Sequence, residues 1–428
     1  MTASKPNSKG VYFPGLNALR FFAAFAVIIT HVELMKKYLS AKYGYTTRWM
    51  DFWGVWHSGP KAGEPVVSSY PLQTILSNPD VHFYHPLVAE AGPLGVIFFF
   101  VLSGFLITYL LFAEKEKTGT IATGAFYLRR IFRIWPLYYL ILILGFFVLP
   151  HFDAFYVPSQ TEALFDGSFW TKFGFSAVIL PNVALAFFMA VPNIGQIWSI
   201  GVEEQFYLIW PWILRKAKHP LRNIFLFTTA WMILKMAVFV WGSTAPSALS
   251  IGMMKFMAMT KLECMALGGI GAWLLYHKKK KFLQIIFNPI VQVASYVAIP
   301  VLLYFTPRIL QNGVHLAYGI LFLIIILNVS SNVKSILKLE IPILHKLGKI
   351  SFGIYMYHMI IVVFVLHFVG QYLPQIATSA WVDIVVYASS ALLTIAVSHL
   401  SYYRFEQFFI TIKQRYAKVV SGEEAKQT

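Results

Sequence analysis

Residues 16–36 read LNALRFFAAFAVIITHVELMK, an apolar run with Arg20 near one end and His31 near the other. Eleven positions on an α-helix make about three turns, so the two side chains fall within roughly 20° of one face and about 16 Å apart along the axis. That is about half of a bilayer's hydrocarbon core. An ionisable side chain at membrane depth costs about 2.5–3.5 kcal/mol on insertion scales, so it faces a bundle interior or a water-filled path. Each residue alone has a plainer reading, Arg20 as a snorkelling anchor and His31 as a satisfied packing histidine. The pair on one face points to function.

The surrounding chain fits a membrane setting. Of its 428 residues 58% are hydrophobic, 17% aromatic and only 12% charged, which is the composition of an all-α, polytopic membrane helix bundle. Apolar runs of spanning length predict ten transmembrane helices, near 16–36, 93–113, 133–150, 198–214, 223–241, 257–276, 288–305, 314–330, 350–370 and 381–402. The expected organisation is a polar leader over 1–15, a transmembrane domain over 16–402 with an outer loop near 37–92, and a tail over 403–428. The first run keeps its arginine and histidine and has no clear small-residue cleavage site after it, so it is expected to remain as a span rather than be removed as a signal.

Charge distribution orients the bundle. Ten crossings put both termini on one side, and most of the 35 basic residues then fall in segments on that side: the leader, 115–133, 215–222, 278–281, 334–349 and the tail. By the positive-inside rule that side is cytoplasmic. The net charge of +17 is thereby absorbed by topology and needs no nucleic acid. The run 173–189 is apolar and long enough to span, but an even number of crossings must separate the basic clusters on either side of it. Pro181, Asn182, Pro192 and Asn193 interrupt it as well, so a re-entrant or outer-surface segment is expected, buried against protein.

Cysteine and histidine chemistry is sparse. Cys264 is the single cysteine, which excludes an intramolecular disulfide, and its apolar surroundings point to packing. His57, His82 and His85 lie in the outer loop without a cysteine or paired carboxylate at ligand spacing, so no metal is expected. That loop, rich in Trp, Tyr and Pro, suits a lid or an acceptor-binding surface.

Four stretches carry the chemistry. In FYLRRIFRIWPLYYL, Arg130 and Arg133 are three apart and share a helix face at the inner membrane entrance. Two guanidiniums there suit phosphate oxygens, such as those of a coenzyme A thioester; plain positive-inside anchoring is the alternative. In WSIGVEEQFYLIWPW, Ser199 and Glu203 share a face, and Glu203 is expected at the depth of His31, where a carboxylate would orient a histidine base. FFFVLSGFLI carries Ser103 and Gly104, read as a helix-packing pair. In KISFGIYMYH, His358 beside Tyr355 offers either a polar contact to a passing donor or a structural hydrogen bond.

Together these segments resemble the acyltransferase 3 family, integral membrane enzymes that O-acylate cell-surface polysaccharides, peptidoglycan and related acceptors. Arg20 to His31 is similar to the family's arginine, ten residues, histidine pattern; Arg130 to Arg133 to its Arg-x-x-Arg motif; Ser199 to Glu203 to its Ser-x-x-x-Glu motif. FFFVLSGFLI and SFGIYMYH are similar to further family segments, so the resemblance covers about residues 11–405. One departure is Asn17, where members commonly have an aspartate that would pair with Arg20. No hydrolase-like domain is expected after the last span.

The resemblance implies transfer of an acyl group, most often acetyl, from cytoplasmic acyl-CoA as co-substrate to a hydroxyl of an envelope carbohydrate or glycoside, in a bacterial inner membrane and with no permanently bound cofactor. In that scheme Arg130 and Arg133, with Arg20, hold the donor phosphates. His31 is the general base or acyl relay, Glu203 orients it, Ser199 adds a hydrogen bond, and Tyr355 and His358 contact substrate. A proton-coupled transporter is the alternative for the same buried charges. Carriers often show internal repeats, and none is visible here.

Overall fold

The computed structural model describes residues 10–45, 48–50, 56–58, 86–305, 313–377 and 381–419. Helix α1 spans Leu16–Tyr43, α2 Pro86–Thr118 and α3 Thr123–Ile143, which runs on through a π-turn to His151. Two short helices follow, α4 at Phe169–Ala177 and α5 at Pro181–Phe187. Then come α6 at Trp198–Arg215, α7 at Pro220–Thr244, α8 at Ala248–Met259 and α9 at Leu262–Tyr276. Helix α10 covers Lys280–Ile286, α11 Pro289–Phe305, α12 Val314–Ser331 and α13 Pro342–Lys349. The last two are α14 at Ser351–Tyr372 and α15 at Val382–Ser401, which passes through a π-turn at Tyr402–Glu406 and continues to Gln414. Between α1 and α2 two three-residue strands, Arg48–Met50 and Trp56–Ser58, pair antiparallel.

Seven of the described helices are long and apolar enough to cross a membrane, and α10 with α11, bent by 55° at their junction, would make an eighth. The expected count of ten therefore does not follow from length and apolarity alone. Its two other spans fall on segments with a physical interruption. Helix α6 carries Glu203, Glu204 and Arg215, and the run 257–276 is divided at Thr260 and Lys261 into α8 and α9.

The run 173–189 is likewise two helices and not one. They break around Ile179, whose φ is 61°. Tyr138 and Tyr139 of α3 donate to Ser176 O at 2.6 Å and Ala177 O at 2.9 Å, capturing carbonyls that the break releases. Asn182 Nδ2 donates to Gln205 Oε1 and to Thr260 Oγ1, both at 3.2 Å, and Gln205 Nε2 donates back to Asn182 Oδ1 at 2.8 Å. The interrupted backbone is thus buried against protein, the condition for irregular structure at membrane depth.

Small residues set the closest contacts, because lipid supplies no hydrophobic drive between helices and packing must carry association. A Cβ on Gly104 of α2 would lie 1.8 Å from Met265 O of α9, and one on Gly268 of α9 would lie 2.0 Å from Val101 O of α2. Helix α1 starts at Gly15, at φ 72°, where a Cβ would meet Val329 Cγ1 at 2.4 Å. The Gly15 N–H donates to Glu340 Oε2 at 2.7 Å. Cys264 is fully buried, as packing requires.

Several cations inside the bundle have matched acids. Lys36, with no exposed surface, lies 2.8 Å from Glu33 and 2.5 Å from Asp383, tying α1 to α15. Lys235 of α7 lies 2.7 Å from Glu263 of α9, which also accepts from His315 Nε2 at 2.7 Å and Trp231 Nε1 at 2.9 Å. At the end of α2, Glu114 pairs with Arg129 at 2.6 Å. His82 and His85 of the loop reading lie outside the described residues, and the described ones contain no group of three metal-ligating side chains.

Candidate active site

Helix α1 packs chiefly against α2 and α14, and this brings His31 onto His358. The rings are 4.9 Å apart between centroids. His31 Nδ1 lies 2.9 Å from Val27 O and 3.2 Å from His358 Nε2, while His358 Nδ1 lies 2.5 Å from Tyr355 O. A carbonyl can only accept, so the hydrogen-bond pattern assigns the proton to Nδ1 on both rings. His358 Nε2 then turns its lone pair toward the His31 N–H. What remains is His31 Nε2, unprotonated and free to accept a proton.

Tyr355 extends this network to α6. Its hydroxyl is 2.6 Å from Ser199 Oγ, one of the two donating to the other, and both lie within reach of the acceptor Gln196 O, at 3.1 Å and 3.3 Å. Gln196 Nε2 donates to Met356 O at 2.8 Å. Four of the residues singled out from sequence, His31, Tyr355, His358 and Ser199, therefore form one connected group.

Glu203 is not the partner of His31. Its carboxylate accepts from Ser103 Oγ at 3.2 Å and from Tyr207 Oη at 2.8 Å. The expectation of a Glu203–His31 pair rested on ending the first span at residue 36. Helix α1 runs on to Tyr43, and His358 of α14 takes the place beside His31 that the carboxylate was expected to fill. Ser103 is more than a packing residue, since it anchors Glu203. Tyr207, four residues after Glu203 on the same helix face, was legible in the sequence as its partner and was missed.

The arginines separate into two kinds. Arg129 is tied down, to Glu114 and to Tyr416 O at 2.9 Å. Arg20, Arg130 and Arg133 are not: among the described residues none of them makes an ion pair with a carboxylate. Arg20 Nη1 donates to Asn17 Oδ1 at 3.2 Å, so Asn17 supplies a neutral acceptor. Arg130 lies over the rings of Phe126 and Tyr207 at 5.9 Å and 5.7 Å, with Nε lacking any hydrogen-bond partner. Arg133 lies 5.7 Å over Phe352. The three guanidiniums are within electrostatic range of one another. Like charges gathered together with Glu203 and Glu204 near but not paired to them favour an anion, and the planar fork of guanidinium matches phosphate oxygens.

Arg20, His31, Arg130, Arg133 and Glu203 are each partly buried, so these groups inside the helix bundle keep accessible surface. Arg20 lies in the first two turns of α1 and Arg130 and Arg133 on α3, while His31 lies three turns farther along α1, about 16 Å from Arg20 along the axis.

Comparison with known proteins fits this arrangement. Residues 13–403 match the model of the acyltransferase 3 family, an acyltransferase domain. The O-acetyltransferase OatA of Staphylococcus aureus (strain NCTC 8325 / PS 47) is 26% identical over 409 residues, which cover 91% of this chain and 56% of that protein. A putative O-acetyltransferase of Staphylococcus aureus (strain COL) is 29% identical over 350 residues, 73% of this chain and 51% of that one. The peptidoglycan O-acetyltransferase OatA of Listeria monocytogenes is 34% identical over 126 residues, 29% of this chain and 20% of that one. The chain spans about half the length, or less, of these relatives. No solved structure matches.

Proposed function

Because this chain belongs to the acyltransferase 3 family, we propose that it is a membrane-embedded O-acetyltransferase using cytoplasmic acetyl-CoA to acylate a hydroxyl of an envelope carbohydrate or glycoside. The observation that carries this reading is the pairing of partly buried guanidiniums that form no ion pair among the described residues with an unprotonated imidazole nitrogen on His31 three turns farther along α1. We place the arginine end at the cytoplasmic face of a bacterial inner membrane, with ten crossings and both termini inside. The break between α8 and α9 and the bend between α10 and α11 then interrupt spans without ending them.

The chemistry follows from the groups present. Arg20, Arg130 and Arg133 hold the phosphates of the donor while its thioester extends toward His31. His31 Nε2 takes the proton of the acceptor hydroxyl as its oxygen attacks the thioester carbonyl carbon. The new C–O bond forms, the C–S bond breaks, and the imidazolium returns its proton to the departing thiolate. His358 Nε2 and Val27 O hold the Nδ1–H of His31 in both protonation states, a role the sequence reading gave to Glu203. Tyr355 and Ser199 act through His358 as positioning residues. Glu203 supplies negative charge near Arg20 and Arg130 and fixes Ser103 and Tyr207. General-base catalysis contributes typically 10² to 10⁴-fold, and alignment of the thioester supplies much of the rest.

The test uses purified protein in detergent, given acetyl-CoA and a panel of glycosides. Release of free CoA together with an acceptor heavier by one acetyl group is the expected result. Uptake of a glycoside into vesicles with no thioester consumed would replace this reading with transport.

A further inference from the structure

The π-turn at Tyr402–Glu406 interrupts α15 where it passes α14, and such single-turn bulges concentrate at functional positions. Its consequence here is to hold Glu406 inside the protein, with 5% of its surface exposed. Among the described residues Glu406 has a weak hydrogen-bonding environment for a carboxylate, one contact from Ser401 Oγ at 3.5 Å. Ser401 is itself engaged by Tyr357 Oη at 3.0 Å.

Two neighbouring residues of α14 connect this acid to the arginine cluster. Phe352 lies under the guanidinium of Arg133. Gly353 leaves room for the acid, since a Cβ there would sit 3.2 Å from Glu406 Oε1 and 3.2 Å from Ser398 Cβ. Arg133 lies near enough to Glu406 for their charges to interact, and among the described residues neither forms an ion pair. A buried carboxylate near a partly buried guanidinium that it does not pair with leaves the cation attracted but free to bind something else.

We propose that Glu406 is a positioning residue for the donor site: it holds Arg133 in place while the site is empty and sets the strength with which Arg133 takes the donor's phosphate. This rests on the reading of Arg133 as a phosphate ligand and goes beyond it. The carboxylate competes with phosphate for one guanidinium, so its charge weakens donor binding. The gain is a site that stays ordered when empty and lets CoA leave after transfer.

The experiment is equilibrium binding of acetyl-CoA to the purified full chain, for Glu406→Gln, Arg133→Ala and the double variant. The account expects Glu406→Gln to tighten binding three- to tenfold, Arg133→Ala to weaken it about tenfold or more, and Glu406→Gln to have no effect on affinity in the Arg133→Ala background. A purely structural role for Glu406 would lower yield or thermal stability and leave affinity unchanged or weaker, and that result overturns the proposal. Glu406→Asp keeps the charge and should bind like the parent protein, which guards against a folding defect in the glutamine variant. If Arg133→Ala binds acetyl-CoA normally, the reading of the arginine itself fails. If Arg133→Ala weakens binding and Glu406→Gln does not strengthen it, only the inference about Glu406 fails.

Discussion

Two sets of cations in this bundle differ in one respect, whether a carboxylate pairs with them directly. Lys36 and Lys235 sit against carboxylates at 2.5–2.8 Å and join helices. Arg20, Arg130 and Arg133 are partly buried and touch aromatic rings and an asparagine, with Glu203, Glu204 and Glu406 near but not paired to them. A desolvated cation without an ion pair is costly. The first set is architecture; the second we read as a site for a ligand that brings its own negative charge.

The comparison breaks most sharply at His31, which belongs to neither set. His31→Ala should lower acyl transfer by at least 10²-fold while protein level and thermal stability stay near those of the parent, as read by CoA release and a melting curve. Next in size is the contrast between the sets. Arg130→Ala should weaken acetyl-CoA binding about tenfold without lowering the melting temperature. Lys235→Ala should do the reverse, because breaking a buried pair and stranding Glu263 costs about 3–5 kcal/mol. Lys235→Met combined with Glu263→Gln should recover part of that loss.

Smaller effects sharpen the boundary between positioning and packing. Ser199→Ala removes one hydroxyl three contacts away from His31 and should lower turnover several-fold with acetyl-CoA affinity unchanged. Gly104→Ala drives a methyl group toward Met265 O and should cost about 1–3 kcal/mol of stability, with donor affinity retained in the folded fraction.

Much of this was legible in the sequence, for reasons that differ by element. Residues 16–36 revealed a functional helix because Arg20 and His31 are eleven apart, a spacing that helical geometry converts directly into a shared face. The prolines and asparagines of 173–193 disclosed a broken segment because those residues disrupt backbone hydrogen bonding wherever they fall. Arg130 and Arg133 declared a shared face by the same local rule, and so did Ser199 and Glu203. The partner of His31 was hidden. Residues 31 and 358 are joined by the packing of α1 against α14, and only helix order in space decides that. Glu203 was assigned wrongly because depth was counted from an apolar boundary at residue 36, while polar Lys36, Lys37 and Ser40 continue the helix on matched partners. The number of crossings was obscured for a related reason. Helices α6, α8 and α9 carry charges or breaks that internal partners satisfy, and an apolarity count registers only the charge or the break.

The central claim is a proposed division of labour within the helix bundle, with guanidiniums binding the donor and an imidazole performing the transfer. The measurement that tests it most directly is acetyl-CoA affinity and turnover on the same preparations of His31→Ala and Arg133→Ala. The account predicts that His31→Ala binds acetyl-CoA like the parent protein and transfers nothing, and that Arg133→Ala binds at least tenfold more weakly. Loss of donor binding in His31→Ala, or undiminished binding in Arg133→Ala, would contradict it.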